Sequence, residues 1–139
     1  MPQEKKLALV TGANKGIGFE LARQLGRNGM TVLLGARDMK LGEEAAHKLK
    51  SEGLDAHALH IELNQLETID QAAKQIETNY GRLDVLMNNA GIADPADGPP
   101  STASLQAVRR IFDTNLFGTI ACVTAIVPNR LVSKIRRTA

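Results

Sequence analysis

Residues 7–18, Leu7-Ala8-Leu9-Val10-Thr11-Gly12-Ala13-Asn14-Lys15-Gly16-Ile17-Gly18, decide the fold of this chain. Leu7 to Thr11, apolar through Val10, read as a short buried strand. Three glycines follow in the spacing G-x-x-x-G-x-G. Residues 17–28 then turn helical, with Phe19, Leu21, Ala22 and Leu25 on the apolar side. Gly29 marks the turn out. A strand, a glycine-rich turn and a helix in that order open a βαβ unit.

The alternation continues outward from there. Residues 31–34 read as a second strand, and 41–50 as an amphipathic helix stopped by Gly53. Residues 56–63 form a weaker third strand. Residues 66–80 are helical, with Ile69, Ala72, Ala73 and Ile76 at three- and four-residue spacing. Residues 83–87 are a fourth strand. Residues 91–104 hold three Pro and two Gly and read as a loop. A long helical pattern over 105–127 is broken at Gly118 and closed by Pro128. This order predicts an α/β fold, a Rossmann-type doubly wound parallel sheet that runs through about four strands and the long helix after them. Residues 1–128 form that one unit and 129–139 a basic tail. Ligands of such sheets sit outside the carboxyl ends of the strands, so the informative residues lie just after each strand.

Composition narrows the function classes. The chain has 139 residues, 43% hydrophobic and 23% charged, which suits an ordinary folded domain. Aromatics are only 3%, too few for a platform that stacks on bases. The formal net charge is +2, but the tail holds Arg130, Lys134, Arg136 and Arg137 and no acid. Without the tail the balance is 13 basic against 15 acidic residues. No basic face for nucleic acid is expected; the tail is a solvated basic end, the alternative being nucleic-acid or membrane binding by the tail alone. No apolar run approaches the roughly 18 residues of a membrane span. The single cysteine, Cys122, forms neither an internal disulfide nor a thiolate metal cluster. A reduced, cytoplasmic setting without a metal is expected.

The turn at 11–18 suits a dinucleotide. Its glycines let backbone approach a ligand, and the helix N-terminus behind them offers free N–H groups to a pyrophosphate. The Lys-Ser/Thr ending of a P-loop is absent, which disfavours an ATPase. The alternative is a purely structural turn. After the second strand stands Gly35-Ala36-Arg37-Asp38. A site for NAD favours a carboxylate at the strand end, whereas Arg37, with Lys15, suits the 2′-phosphate of NADPH. The alternative has Arg37 paired with Asp38 or Glu20. Glu62, after the third strand, suits the adenine amino group, or is a helix N-terminal acid. Asn88-Asn89-Ala90-Gly91 puts two amides and two small residues after the fourth strand. Asn115 lies inside the long helix, where asparagine is unfavourable by propensity.

Together these motifs resemble the short-chain dehydrogenase/reductase family over roughly residues 5–128. Residues 11–18 are similar to its cofactor glycine motif, with Gly12, Asn14, Lys15, Gly16, Ile17 and Gly18 expected at the cofactor. Residues 88–91 are similar to its sheet-stabilising Asn-Asn-Ala-Gly motif, with Asn88, Ala90 and Gly91 also expected at the cofactor. Glu62 stands where the family commonly has an Asp beside the adenine. Asn115 matches the family's helix asparagine, which the resemblance assigns to a catalytic proton relay. Asn14 to Gly18 with Ala36-Arg37-Asp38 is especially similar to NADPH-dependent carbonyl reductases. The resemblance implies NADP as cofactor and a small carbonyl substrate, an aldehyde, ketone or quinone.

The family's catalytic Ser and Tyr-x-x-x-Lys have no counterpart here. Tyr80 is the sole tyrosine, and Asp84 stands four residues on. Ser133 is early and lies in the basic tail. The expectation is cofactor binding without turnover, with an exposed sheet edge that favours association. An alternative is a non-catalytic cofactor-binding or interaction module; a lesser one is a gene product without function. For one codon choice, residues 134–139 read one nucleotide later begin Lys-Ser-Ala-Gly-Arg, similar to the family's lead-in to its next strand, which suggests a frameshift after about residues 121–128.

Overall fold

The computed structural model describes residues 5–92, 98–99 and 101–127. Its strands are β1 (Leu7–Val10), β2 (Thr31–Ala36), β3 (Ala56–His60) and β4 (Val85–Met87). They form one parallel sheet in the order β3-β2-β1-β4. Helices α1 (Gly16–Arg27), α2 (Met39–Ser51) and α3 (Leu66–Tyr80) make the crossovers. After β4 comes one continuous helical stretch: α4 (Leu105–Phe112), a π-helical segment (Asp113–Gly118) and α5 (Thr119–Ile126). The tail at 129–139 lies outside the described residues.

Alternation along the strands builds two cores. Leu7, Leu9, Leu33 and Leu59 meet Ile69, Ala72 and Ile76 of α3 and Cys122 and Ile126 of α5. Val10, Val32, Leu34 and Ala56 meet Ala22 of α1 and Ala45, Ala46 and Leu49 of α2. Apolar side chains therefore leave both faces of the sheet and need helices on both, which is the doubly wound arrangement.

Several boundaries differ from the sequence reading; β4, for instance, begins at Val85 rather than at residue 83, and α2 at Met39 rather than at residue 41. β2 runs on through Gly35 and Ala36, both buried. β3 stops at His60, because its partner runs out at Ala36, the last register pair. Ile61 and Leu63 still enter the core, but from the loop. Gly118 does not break the long helix. It lies against Leu63, whose carbonyl and side chain occupy the space a Cβ would need, so it permits close packing instead.

Candidate functional site

β1 leads outward to β2 and then β3, and the chain returns to the other side of β1 as β4. The crevice between β1 and β4 is thus the switch point at which ligands bind in such sheets. A cleft of about 400 Å³ opens there, lined by the glycine turn (Gly12, Asn14, Lys15, Gly16), Arg37, residues 61–64, residues 89–92 and Thr114.

Thr11 closes the seam between β1 and β4. Its hydroxyl oxygen accepts from the backbone N–H of Asn89 at 3.1 Å and of Ala90 at 3.0 Å. The Asn89 side-chain amide donates back to the carbonyls of Thr11 at 3.2 Å and Gly12 at 3.1 Å. Thr11 is 1% exposed, so these bonds satisfy polar groups that water does not reach. Close approach requires glycine at two positions here. Gly12 has φ +62°, and a Cβ on it would stand 2.9 Å from Ala90 Cα. A Cβ on Gly18 would overlap the Asn89 amide and the Gly12 carbonyl.

At the end of β2, the two acids nearest Arg37 in sequence or in the sequence reading are already engaged. Asp38 caps α2, accepting from Lys40 N at 2.9 Å and Leu41 N at 3.3 Å. Glu20 is held by Arg23 and Gln24. The reading in which Arg37 pairs with Asp38 or Glu20 therefore does not hold. Among the described residues no acid pairs with Arg37 or Lys15. Glu62 is likewise no helix-terminal acid, because α3 begins at Leu66 and carries Glu67 in its first turn. Its Oε2 stands 3.7 Å from His60 Nε2.

Asn115 lies in the π-helical segment. Its Oδ1 accepts from Ile92 N at 2.7 Å, and its Nδ2 donates to Ile92 O at 2.8 Å. The side chain thereby pins a backbone unit of the cleft wall. π-Helical turns inside α-helices are often found at functional sites.

The structure gathers Gly12, Asn14, Lys15, Gly16, Arg37, Glu62, Ala90 and Gly91 around one cleft. Four expected residues stand apart from its lining: Asn115, which reaches it only through Ile92, and three others. Ile17 is 76% exposed at the start of α1. Gly18 is buried beneath the turn, and Asn88 points outward. Asn89 and Thr11 were not singled out by the sequence. The signal was present, since residues two apart in extended chain share a face and Asn89 follows Met87 in that rhythm. Which of the two adjacent asparagines faces β1 depends on the pairing of β4. Tyr80, at the C-terminal end of α3, lies at the strands' N-terminal ends, opposite the cleft. Burial chiefly raises its pKa, with the charge of Asp55 adding to the shift. Burial also pushes the Cys122 thiol up to about 11, so it stays protonated at neutral pH. No cluster of three or more potential metal ligands occurs among the described residues. No helix among them is long and apolar enough to cross a membrane.

Residues 6–136 match the family model for short chain dehydrogenases. The chain belongs to the short-chain dehydrogenase/reductase family. That match reaches into the stretch read from sequence as a tail. The chain is 38% identical over 132 residues to the short-chain dehydrogenase anuI of Penicillium roqueforti, covering 94% of this chain and 52% of that protein. It is 39% identical over 129 residues to carbonyl reductase (NADPH) 1 of Sus scrofa, covering 92% and 44%. Among solved structures, a metagenomic short-chain oxidoreductase in complex with NADP superposes with TM-score 0.84 at 31% identity, covering 93% of this chain and 58% of that one. The chain spans about half the length of the curated relatives it matches.

Proposed function

We propose that this chain is the cofactor-binding portion of an NADPH-dependent short-chain dehydrogenase that reduces a carbonyl compound, an aldehyde, ketone or quinone. The observation that carries the reading is Lys15 and Arg37 lining one cleft, with no acid paired to either among the described residues. A guanidinium and an ammonium with no internal counter-ion suit a 2′-phosphate. The glycine turn fits the same ligand, because its backbone reaches the cleft at the N-terminus of α1, where a pyrophosphate is favoured. Glu62 accepts from the adenine amino group. Asn88, Ala90 and Gly91 belong to the segment that carries the cofactor's far end. When bound, the cofactor supplies the hydride. Asn115 acts through Ile92, holding the cleft wall in place for the proton relay. We place the protein in the cytoplasm, acting on a small molecule rather than on nucleic acid or a membrane.

A second reading is a non-catalytic NADPH-binding module. The 139 residues contain no Tyr-x-x-x-Lys. Both readings expect the chain as it stands to bind NADPH without turnover. In calorimetry, Arg37→Asp is expected to weaken NADPH binding tenfold or more and NADH binding little. Equal loss for both cofactors would remove the 2′-phosphate from the argument. Sequencing the coding DNA beyond codon 139 separates the readings. A downstream Tyr-x-x-x-Lys in any frame supports the reductase, and turnover of a carbonyl panel by that longer form tests it. Its absence from every frame supports the module.

A further inference from the structure

We propose that His60, which stands outside the cleft lining but beside its residue Glu62, is a specificity-determining residue that on taking up a proton favours the cofactor bearing a 2′-phosphate over the one without it. This rests on the reading of the cleft as an NADPH site and deepens it.

His60 is the last residue of β3 and sits in register with Ala36, the residue before Arg37. It therefore stands one strand away from the cation that the 2′-phosphate requires. Its Nε2 lies 3.7 Å from Glu62 Oε2, and the side chains of both remain partly open to solvent, at 41% and 33%. Glu62 lines the cleft with Lys15 and Arg37. A carboxylate there suits an amino group but repels a phosphate. With His60 neutral, Lys15, Arg37 and Glu62 sum to +1; with His60 protonated the sum is +2, and the added charge sits against the repelling group. Histidine is the side chain whose charge ordinarily changes between about pH 5 and 8. The other charged groups of the neighbouring elements are not among the cleft lining. Asp38 caps α2. Lys40, Glu43, Glu44 and His47 of α2 line a different groove, with His57. Glu67 lies in the first turn of α3, beyond the loop that carries Glu62.

The test is the dissociation constant of NADPH and of NADH between pH 8 and pH 6, measured by calorimetry on the chain, on His60→Gln and on Glu62→Gln. From pH 8 to pH 6 the native chain is expected to gain about three- to tenfold in NADPH affinity relative to His60→Gln. NADH is expected to show a much smaller difference. The 2′-phosphate's own titration is common to both chains and cancels in the comparison. Glu62→Gln is expected to bind NADPH more tightly than the native chain at pH 8. Linkage requires the reverse effect, so saturating NADPH should raise the titration midpoint of the His60 imidazole followed by proton NMR. Superimposable NADPH profiles for the native chain and His60→Gln overturn the proposal. Should His60→Gln not fold, an imidazole midpoint unmoved by NADPH overturns it equally. A folded chain that binds no NADPH at any pH overturns the cofactor reading itself, and this inference with it.

Discussion

The two sides of the sheet are unequally buried. All four residues of β1 and all six of β2 are buried, whereas the three in β4 are only partly buried. β2 has a strand on each side, and helices cover both faces of this half. β4 pairs with β1 alone. The helical stretch after it leaves Phe112 at 49% and Phe117 at 59% exposure, on a segment that also presents Leu116 and Ile120 to solvent. The cleft lies on the seam. Its glycine turn and Arg37 come from the tightly packed half, and Ala90, Gly91 and the Asn115–Ile92 contact come from the looser one. The difference teaches that the end with the glycine turn and Arg37 is built on a tightly packed frame, while the other end depends on a few hydrogen bonds across the seam. Proteins open first where buried apolar contacts are few.

Four substitutions would break or sharpen this contrast. Gly18→Ala attacks the seam directly, since the new Cβ overlaps both the Asn89 amide and the Gly12 carbonyl. It should cost about 3–4 kcal/mol from overpacking plus lost hydrogen bonds, read from urea unfolding. Leu34→Ala, at a site with no exposure, should cost about 3 kcal/mol, and Leu86→Ala, in β4, only about 1 kcal/mol. Equal losses would abolish the distinction between the halves. Thr11→Val keeps the shape but leaves the N–H groups of Asn89 and Ala90 without their acceptor, for about 2 kcal/mol. Hydrogen exchange should then show faster exchange at Asn89 and Ala90 with β2 amides still protected. Loss of protection in both places would mean that the halves open together.

The smallest effect is electrostatic, at the opposite end of the strands. The Thr31 hydroxyl, donating at 2.7 Å, holds the Asp55 carboxyl below its usual range, and His57 and Lys5 add to the effect. A carboxyl whose folded pKa is depressed contributes stability above its unfolded value and loses it as pH falls through the folded one. The contribution is therefore complete above about pH 4 and lost below it. Asp55→Asn should remove that acid sensitivity and cost less than about 1 kcal/mol at pH 7, because the group is well solvated. Thermal melts of both chains from pH 7 to pH 3 check this. Identical pH dependence would place the acid sensitivity elsewhere.

Much of the fold was legible because both cores come from local alternation. The helix over 66–80 carries its own apolar stripe and the left-handed glycine stop at Gly81, so its ends coincide with those expected. The end of β3 was not legible. Ile61 and Leu63 look like a continuing strand, but a ladder stops where its partner does, and that partner is distant in sequence. The role of Gly118 was hidden for the same reason: a glycine that admits Leu63 looks, in sequence, like one that breaks a helix.

The sequence by itself determined the class of fold and the family. Those features rest on neighbours a few residues apart, where spacing and residue type suffice. Only the tertiary structure decided that Asp38 and Glu20 leave Arg37 without a counter-ion among the described residues, that Asn89 faces β1 while Asn88 points outward, that Asn115 pins Ile92, and that His60 stands beside Glu62. Each of these depends on which strands become neighbours and on which face a side chain leaves. Pairing across the sheet sets both, over separations that no local pattern spans.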